Sequence, residues 1–251
     1  MTRGNRDKVL LNFGNAAKVY NSEARLQRAV AWRLAKYCQK SSIPLGLWVD
    51  LGSGTGLLAD AIETLHPGQR VLRVDGSSKM LSNRQSDSSA EIWDLNFGLP
   101  CWQRAPSLIA SSFALHWLNS PEKRLEEWFL ALAQGGWIAV AIPIDGSFPQ
   151  WHIATDLAGL SSTALPLPKQ SDLLVGIPQE SIKHQSCHWF TQTMPKITSL
   201  FKPIQKIGAH TTSQAPMGIR SWRKLEKAWP RINNNGLVQM SWLIKLILLK
   251  K

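Results

Sequence analysis

Apolar positions in Ser22–Gln39 fall on Leu26, Val30, Trp32, Leu34 and Tyr37, set among Arg and Lys. That spacing predicts an amphipathic helix packed on a sheet. After Ser41-Ser-Ile-Pro44 the chain alternates between short apolar runs and helical patterns. Strands are predicted at Leu47–Leu51, Arg70–Asp75, Glu91–Asp94, Ser107–Ser112 and Trp137–Ile142, with helices at Leu57–Leu65 and Ser78–Arg84. A further helix is predicted from Ser120, which can cap, with Pro121 in the first turn and Leu125, Trp128, Phe129 and Leu132 on one face. Strands alternating with helices predict parallel βαβ units.

The last hundred residues change character. Phe148–Leu167 reads as partly helical and His184–Thr191 as a strand. A helix is predicted after Met194-Pro195, with Ile197, Leu200, Phe201, Ile204 and Ile207 on one side and Gly208 as its stop. Arg220–Trp229 reads as a basic helix ended by Pro230, and Val238–Leu249 as a strand. The apolar run Trp242–Leu249 is broken by Lys245 and is too short to span a bilayer, so a buried strand is predicted there. Two late strands with no glycine loop between them predict additions to the edge of the same sheet. The reading is therefore a single domain over 1–251: an N-terminal helical segment (1–40), a ligand-binding core (41–145), a substrate-side insertion (146–185) and closing strands with a basic helix (186–251).

Composition narrows this. With 251 residues and 44% hydrophobic content, one large α/β core is expected and wholesale disorder is excluded. Cys38, Cys101 and Cys187 are odd in number and far apart, which argues against a disulfide framework or a zinc site and fits a reducing, cytoplasmic setting with no metal. The polar start, Met1 to Lys8, carries no apolar segment of a secretory signal. The net charge of +12 is uneven: residues 151–251 hold 13 Lys/Arg against 4 Asp/Glu. A basic half signals an anionic partner, although a basic surface also serves simple solubility.

The chemistry concentrates after the first strand, in Val49-Asp-Leu-Gly-Ser-Gly-Thr-Gly56. Glycines at 52, 54 and 56, between a strand and a helix, form a turn that lets backbone approach a ligand. Asp75 ends the second strand nineteen residues after Gly56, where doubly wound sheets place the acid that accepts from ribose hydroxyls. Met80 can lie against a purine, Asp94 can accept from an exocyclic amine beside the Leu95 backbone, and Ser112 ends the fourth strand toward the same crevice. Singly, each has a blander role as turn former, core residue or cap; in register they predict a nucleoside site. The G-x-G-x-G spacing differs from the dinucleotide pattern, and the absence of a following lysine excludes a P-loop.

Those residues resemble the first motif of class I S-adenosylmethionine-dependent methyltransferases, with Ser53 where many relatives carry Cys or Ala. The resemblance implies a Rossmann-like α/β fold, a seven-stranded mostly parallel sheet with helices on both faces and an antiparallel last strand. It also implies S-adenosyl-L-methionine bound through Asp50, Gly52, Gly54, Gly56, Asp75, Met80, Asp94, Leu95 and Ser112. A narrower resemblance, to the malonyl-[acyl-carrier-protein] O-methyltransferases of biotin synthesis, lies in Phe13-Gly-Asn-Ala-Ala-Lys-Val-Tyr20, Leu26-Gln27, Ser111-Ser-Phe-Ala-Leu-His-Trp117, Gly135-Gly-Trp-Ile-Ala-Val140, Asp145-Gly-Ser-Phe-Pro149, Ile204-Gln-Lys-Ile-Gly-Ala209 and Leu225-Glu-Lys-Ala-Trp-Pro230. It covers roughly Leu11 to Leu249, and departs from the family at Thr163–Pro178 and at Asn233-Asn-Asn-Gly236.

That family methylates the free carboxyl of a malonyl thioester on acyl carrier protein, an acidic partner that suits the basic second half. A carboxylate, with a pKa near about 4, is already a nucleophile at neutral pH and needs no general base. Tyr20, His116 and Trp117 are then positioning candidates, and Trp151, Arg220 and Arg223 candidates for substrate or carrier. Other readings are a methyltransferase of another small molecule (a quinone precursor or a free acid), an RNA methyltransferase, and a non-catalytic methyltransferase-like assembly protein. No RNA-binding module and no Asn/Asp-Pro-Pro-Tyr/Phe tetrad are present, which argues against nucleic acid; no membrane partner is expected.

Overall fold

The computed structural model describes residues 3–84, 88–212, 217–232 and 236–251, with backbone alone for 3–5. Of the two stretches that depart from the resembling family, Asn233-Asn-Asn therefore lies outside the described residues. Eight strands among the described residues form one sheet: β1 (Trp48–Leu51), β2 (Val71–Asp75), β3 (Ala90–Ile92), β4 (Leu108–Ser112), β5 (Trp137–Pro143), β6 (Ile182–Met194), β7 (Arg231–Ile232) and β8 (Leu237–Lys250). Their order is β3-β2-β1-β4-β5-β8-β6, with β7 paired to the start of β8. The first five strands are parallel and β8 runs antiparallel between β5 and β6. This is the predicted Rossmann-like sheet plus an eighth strand, the two-residue β7, too short to leave a period-two pattern in the sequence.

Both faces of the central strands are buried, with successive side chains entering opposite cores, while β6 alternates between half-buried and exposed positions. Ala139 and Ala141 of β5 face one core with Leu246 and Leu248 of β8; Ile138, Val140 and Ile142 face the other with Ile247 and Leu249. The helices α2 (Arg25–Gln39) and α3 (Leu57–Leu65) cover the first face through Val30, Leu34, Leu58 and Ile62. On the second face α5 (Pro121–Ala131) packs Leu125, Trp128 and Phe129. Each fully buried Leu or Ile contributes about 1.5–3 kcal/mol relative to exposure. A third cluster joins α6 (Pro149–Leu157), α7 (Ile197–Lys206) and α8 (Ile219–Ala228) through Trp151, Leu200, Leu225 and Trp229 over the β8 residues Val238 and Met240.

Several expectations shift. The N-terminal helical segment breaks at buried Ala24 into α1 (Arg3–Glu23) and α2. Ser120 does not cap α5 with its side chain: it takes φ 51° and makes no capping hydrogen bond. The third strand ends at Ile92, because Asp94 caps a 3-10 turn over Leu95–Phe97, its carboxylate accepting from Asn96 N at 2.9 Å. The helix after β2, α4, covers only Ser78–Leu81. Lys245 is buried within β8, its Nζ donating to Gln185 Oε1 at 2.8 Å on the neighbouring strand. No helix among the described residues is long and apolar enough to cross a membrane.

Candidate functional site

The chain runs outward from β1 to β2 and β3, then returns to place β4 on the other side of β1. At this reversal the loops after β1 and β4 diverge and leave a crevice at the strands' carboxyl ends, where open α/β sheets bind ligands. Gly52 and Ser53 donate backbone N–H groups to Val74 O at 2.8 and 3.0 Å, which pins the loop to β2. Gly54 N donates to Asp75 Oδ2 at 2.8 Å, and Ser77 N donates to Asp75 Oδ1 at 2.8 Å. A Cβ on Gly52 would lie 2.2 Å from Ala114 Cβ, so the loops after β1 and β4 meet across this glycine.

The crevice is lined by Asp50, Gly52, Gly54, Asp75, Met80, Asp94, Leu95 and Ser112, eight of the nine residues predicted to bind cofactor. Gly56 stands apart from the lining. It begins α3 at φ 95°, and a Cβ there would lie 2.8 Å from Arg73 Nε. Arg73 is buried in β2 and pairs with Asp60 at 2.6 Å and Glu63 at 2.9 Å, so Gly56 makes room for an ion pair between strand and helix.

The electrostatics follow from burial. Asp50 has Oδ2 accepting from Ala59 N at 3.1 Å and Oδ1 without a partner; burial pushes its carboxyl up to about 7, against the opposing pull of Arg73. Burial also raises Asp75, opposed by the donors Ser77 N and Gly54 N. The buried Ser53 and Ser112 hydroxyls have no hydrogen-bond partner. Buried polar atoms without partners are costly, so this floor suits a polar ligand. The fit to a nucleoside carrying an amino acid group is good: acids for hydroxyls and amines, backbone for close approach, Met80 and Leu95 for a purine.

Helix α1 closes the crevice from above. Arg6, Val9, Leu10, Phe13 and Tyr20 line it, and the enclosed volume is about 120 Å³. Thr55 Oγ1 donates to Asn21 Oδ1 at 2.5 Å, and Asn12 Nδ2 to Thr211 Oγ1 at 2.9 Å, two of the contacts that fasten α1. Tyr20 lies deep, its phenol raised well above the ordinary value by burial and by Asp75 and Asp50.

A second cavity of about 1010 Å³ adjoins the first, sharing Gln27, Phe113 and Trp117 as common wall. His116 and Trp151 line it; Tyr20 does not. His116 is half-buried with its Nδ1 enclosed and unpartnered, and loss of solvation there lowers its imidazole to about 3. Thr163, Ala164, Leu165 and Leu167 also line this cavity, from the stretch that resists alignment with the resembling family. Arg220 and Arg223 line neither cavity. They are exposed on α8, whose Trp222 faces the second cavity. Sequence reasoning did not single out Phe113, which takes φ 56° at the end of β4 and lines both cavities. Its only signal was the strand-end segment Ser111-Ser-Phe113. Arg6, Gln27 and Arg25 were also missed, because nothing local marks a helix residue that tertiary packing turns toward a site. Among the described residues no group of three or more His, Cys, Asp or Glu comes together as a metal site.

Residues 49–140 match the family described as Methyltransferase domain. A malonyl-[acyl-carrier protein] O-methyltransferase of Laribacter hongkongensis is 23% identical over 92% of this chain and 84% of its own length. A trans-aconitate 2-methyltransferase of Paracidovorax citrulli is 32% identical over 44% of each chain. Among solved structures, one from Bacillus halodurans described as a methyltransferase superposes with a TM-score of 0.59 at 14% identity, covering 87% of this chain and 98% of the other.

Proposed function

We propose that this S-adenosylmethionine-dependent methyltransferase, of class I fold, transfers the methyl group to the free carboxyl of a malonyl thioester carried on acyl carrier protein. The observation that carries the reading is the second cavity, where His116, next to Trp117 in the wall that the two cavities share, is held neutral and weakly basic by burial. Glu23, which also lines it, is paired with Lys206 at 2.6 Å. An acceptor that arrives deprotonated, as a carboxylate does at neutral pH, needs no base from His116. The near full-length similarity to malonyl-[acyl-carrier protein] O-methyltransferases points the same way.

The cofactor, when bound, supplies an activated methyl group on a positively charged sulfur. Asp75 and Asp94 would take the ribose and purine ends, and the Gly52–Gly54 backbone would lie against the middle of the ligand. Phe113 and Trp117, shared by both cavities, stand where acceptor and methyl group meet. Phe13 packs edge-on against Trp117 at 5.5 Å and holds that ring in place. His116, neutral at physiological pH, presents a hydrogen bond to the acceptor rather than taking its proton. These residues act by placement in a site that excludes water, where reacting atoms need separations of about 3–3.5 Å. Arg220, Arg223 and Lys227 face solvent on a helix whose other side borders the cavity, so an acidic carrier is oriented toward the opening by charge.

The test is label transfer from S-adenosylmethionine to malonyl carrier protein, malonyl-CoA, free malonate and RNA, offered in parallel. Label on the carrier-linked malonyl group is expected; label confined to RNA would overturn the proposal. A second reading, a small free acid as acceptor, is favoured by the trans-aconitate relative, and label on free malonate alone would establish it.

A further inference from the structure

We infer that Arg6 is a positioning residue for purine recognition: it holds the Asp94 carboxylate ready for the cofactor's exocyclic amine and, through the same contact, latches helix α1 over the nucleoside. The inference rests on the reading of Asp94 as acceptor of that amine. Arg6 Nε lies 3.3 Å from Asp94 Oδ2, with the two side chains 19% and 18% exposed. Its guanidinium carbon sits 4.9 Å from the centroid of the Phe97 ring. Asp94 Oδ1 accepts from Asn96 N at 2.9 Å and from Asn96 Nδ2 at 3.0 Å. Oδ1 is therefore hydrogen-bonded within the 3-10 turn, and Oδ2 is ion-paired to α1. A carboxylate has about four acceptor positions, so Oδ2 keeps one for an amine.

The seat of α1 puts Arg6 there by packing. A Cβ on Gly76 would lie 2.9 Å from Leu10 Cδ2, and one on Gly14 would lie 3.1 Å from Ser77 Oγ. Glycine at both places lets the helix rest directly on the turn that follows β2, one and two helical turns from Arg6. Arg6 Nε and Nη2 both donate to Asp7 Oδ1 at 3.4 Å, but Asp7 is 61% exposed and water competes for it. Asp94 is the better-shielded partner. With α1 seated, the Arg6–Asp94 contact lies at the Asp94 end of the crevice. That contact shields the Asp94–amine hydrogen bond from water, which is where Arg6 adds discrimination.

The test compares dissociation constants of S-adenosylhomocysteine and S-inosylhomocysteine, which carries an oxo group in place of the amine. Both are measured by calorimetry on the full chain. A hydrogen bond to a charged group is worth roughly tenfold to a hundredfold in affinity, so wild type is expected to prefer the amino form by about tenfold or more. In Arg6→Ala and Arg6→Gln the preference is expected to fall to about threefold or less, and Arg6→Lys to restore most of it. Equal weakening of both ligands in Arg6→Ala, with the preference unchanged, would overturn the inference and leave Arg6 as a plain packing contact. Asp94→Ala, which removes the acceptor, separates the two layers. If it leaves the preference intact, the reading of Asp94 fails; if it abolishes the preference while Arg6→Gln does not touch it, the role of Arg6 alone fails.

Discussion

Gly52 carries two separate demands at one position. Its φ of 68° belongs to the left-handed region, and a side chain there would meet Ala114 Cβ at 2.2 Å. The conformational cost is about 1–2 kcal/mol and the clash adds to it, so Gly52→Ala is expected to lose about 2–4 kcal/mol of stability and most cofactor affinity. Thermal unfolding and a binding titration check both. His116 is the second test at this scale. Burial holds its imidazole at about 3 rather than 6.5, so between those values the unfolded chain binds a proton that the folded chain refuses. Stability from this residue is present above the window and is lost as pH falls through it. His116→Gln is expected to flatten the decline of stability below pH 6.5 while leaving stability at pH 8 within about 1 kcal/mol of wild type, as read by urea unfolding. A methyl-transfer rate that titrates with His116 near neutrality would contradict its assignment as a neutral donor.

At the scale of elements, α1 is held by contacts too close for any side chain. Gly208, at φ 80°, would place a Cβ 2.6 Å from Asn12 O in the middle of α1. Gly208→Ala is expected to cost about 2–3 kcal/mol and to free α1, seen as faster proteolysis within residues 3–23 and weaker cofactor binding. The strands and helices of the central sheet were legible in the sequence because each buries one face or both, and burial writes itself as period two or period 3.6. The seat of α1 over the crevice was not, because a helix records which face is apolar and not what that face covers. Arg73 makes the same point. An arginine inside a strand breaks the apolar run, and only the nearness of Asp60 and Glu63 on α3 explains how it is buried.

Over the whole molecule, charge and cavity divide the work. Most of the net +12 falls in residues 151–251, the same half that supplies α8 and much of the second cavity wall. Reversing Arg220, Arg223 and Lys227 to Glu is expected to raise KM for carrier-linked substrate about tenfold or more at low salt, with little change for malonyl-CoA. Loss with both substrates, or with neither, would remove the docking role of α8. The amino-acid sequence alone determined the central sheet, the glycine turn after β1, the acid at the end of β2 and the acid just beyond β3. These are local: a turn needs particular residues at particular spacing, and a strand end places the next side chain in the crevice whatever surrounds it. Tertiary structure alone decided that Gly56 serves Arg73 rather than the crevice, that Arg6 reaches Asp94, and that a second cavity meets the first at Gln27, Phe113 and Trp117. Those contacts join residues that are tens of positions apart, and no local pattern encodes which distant surfaces will pack together.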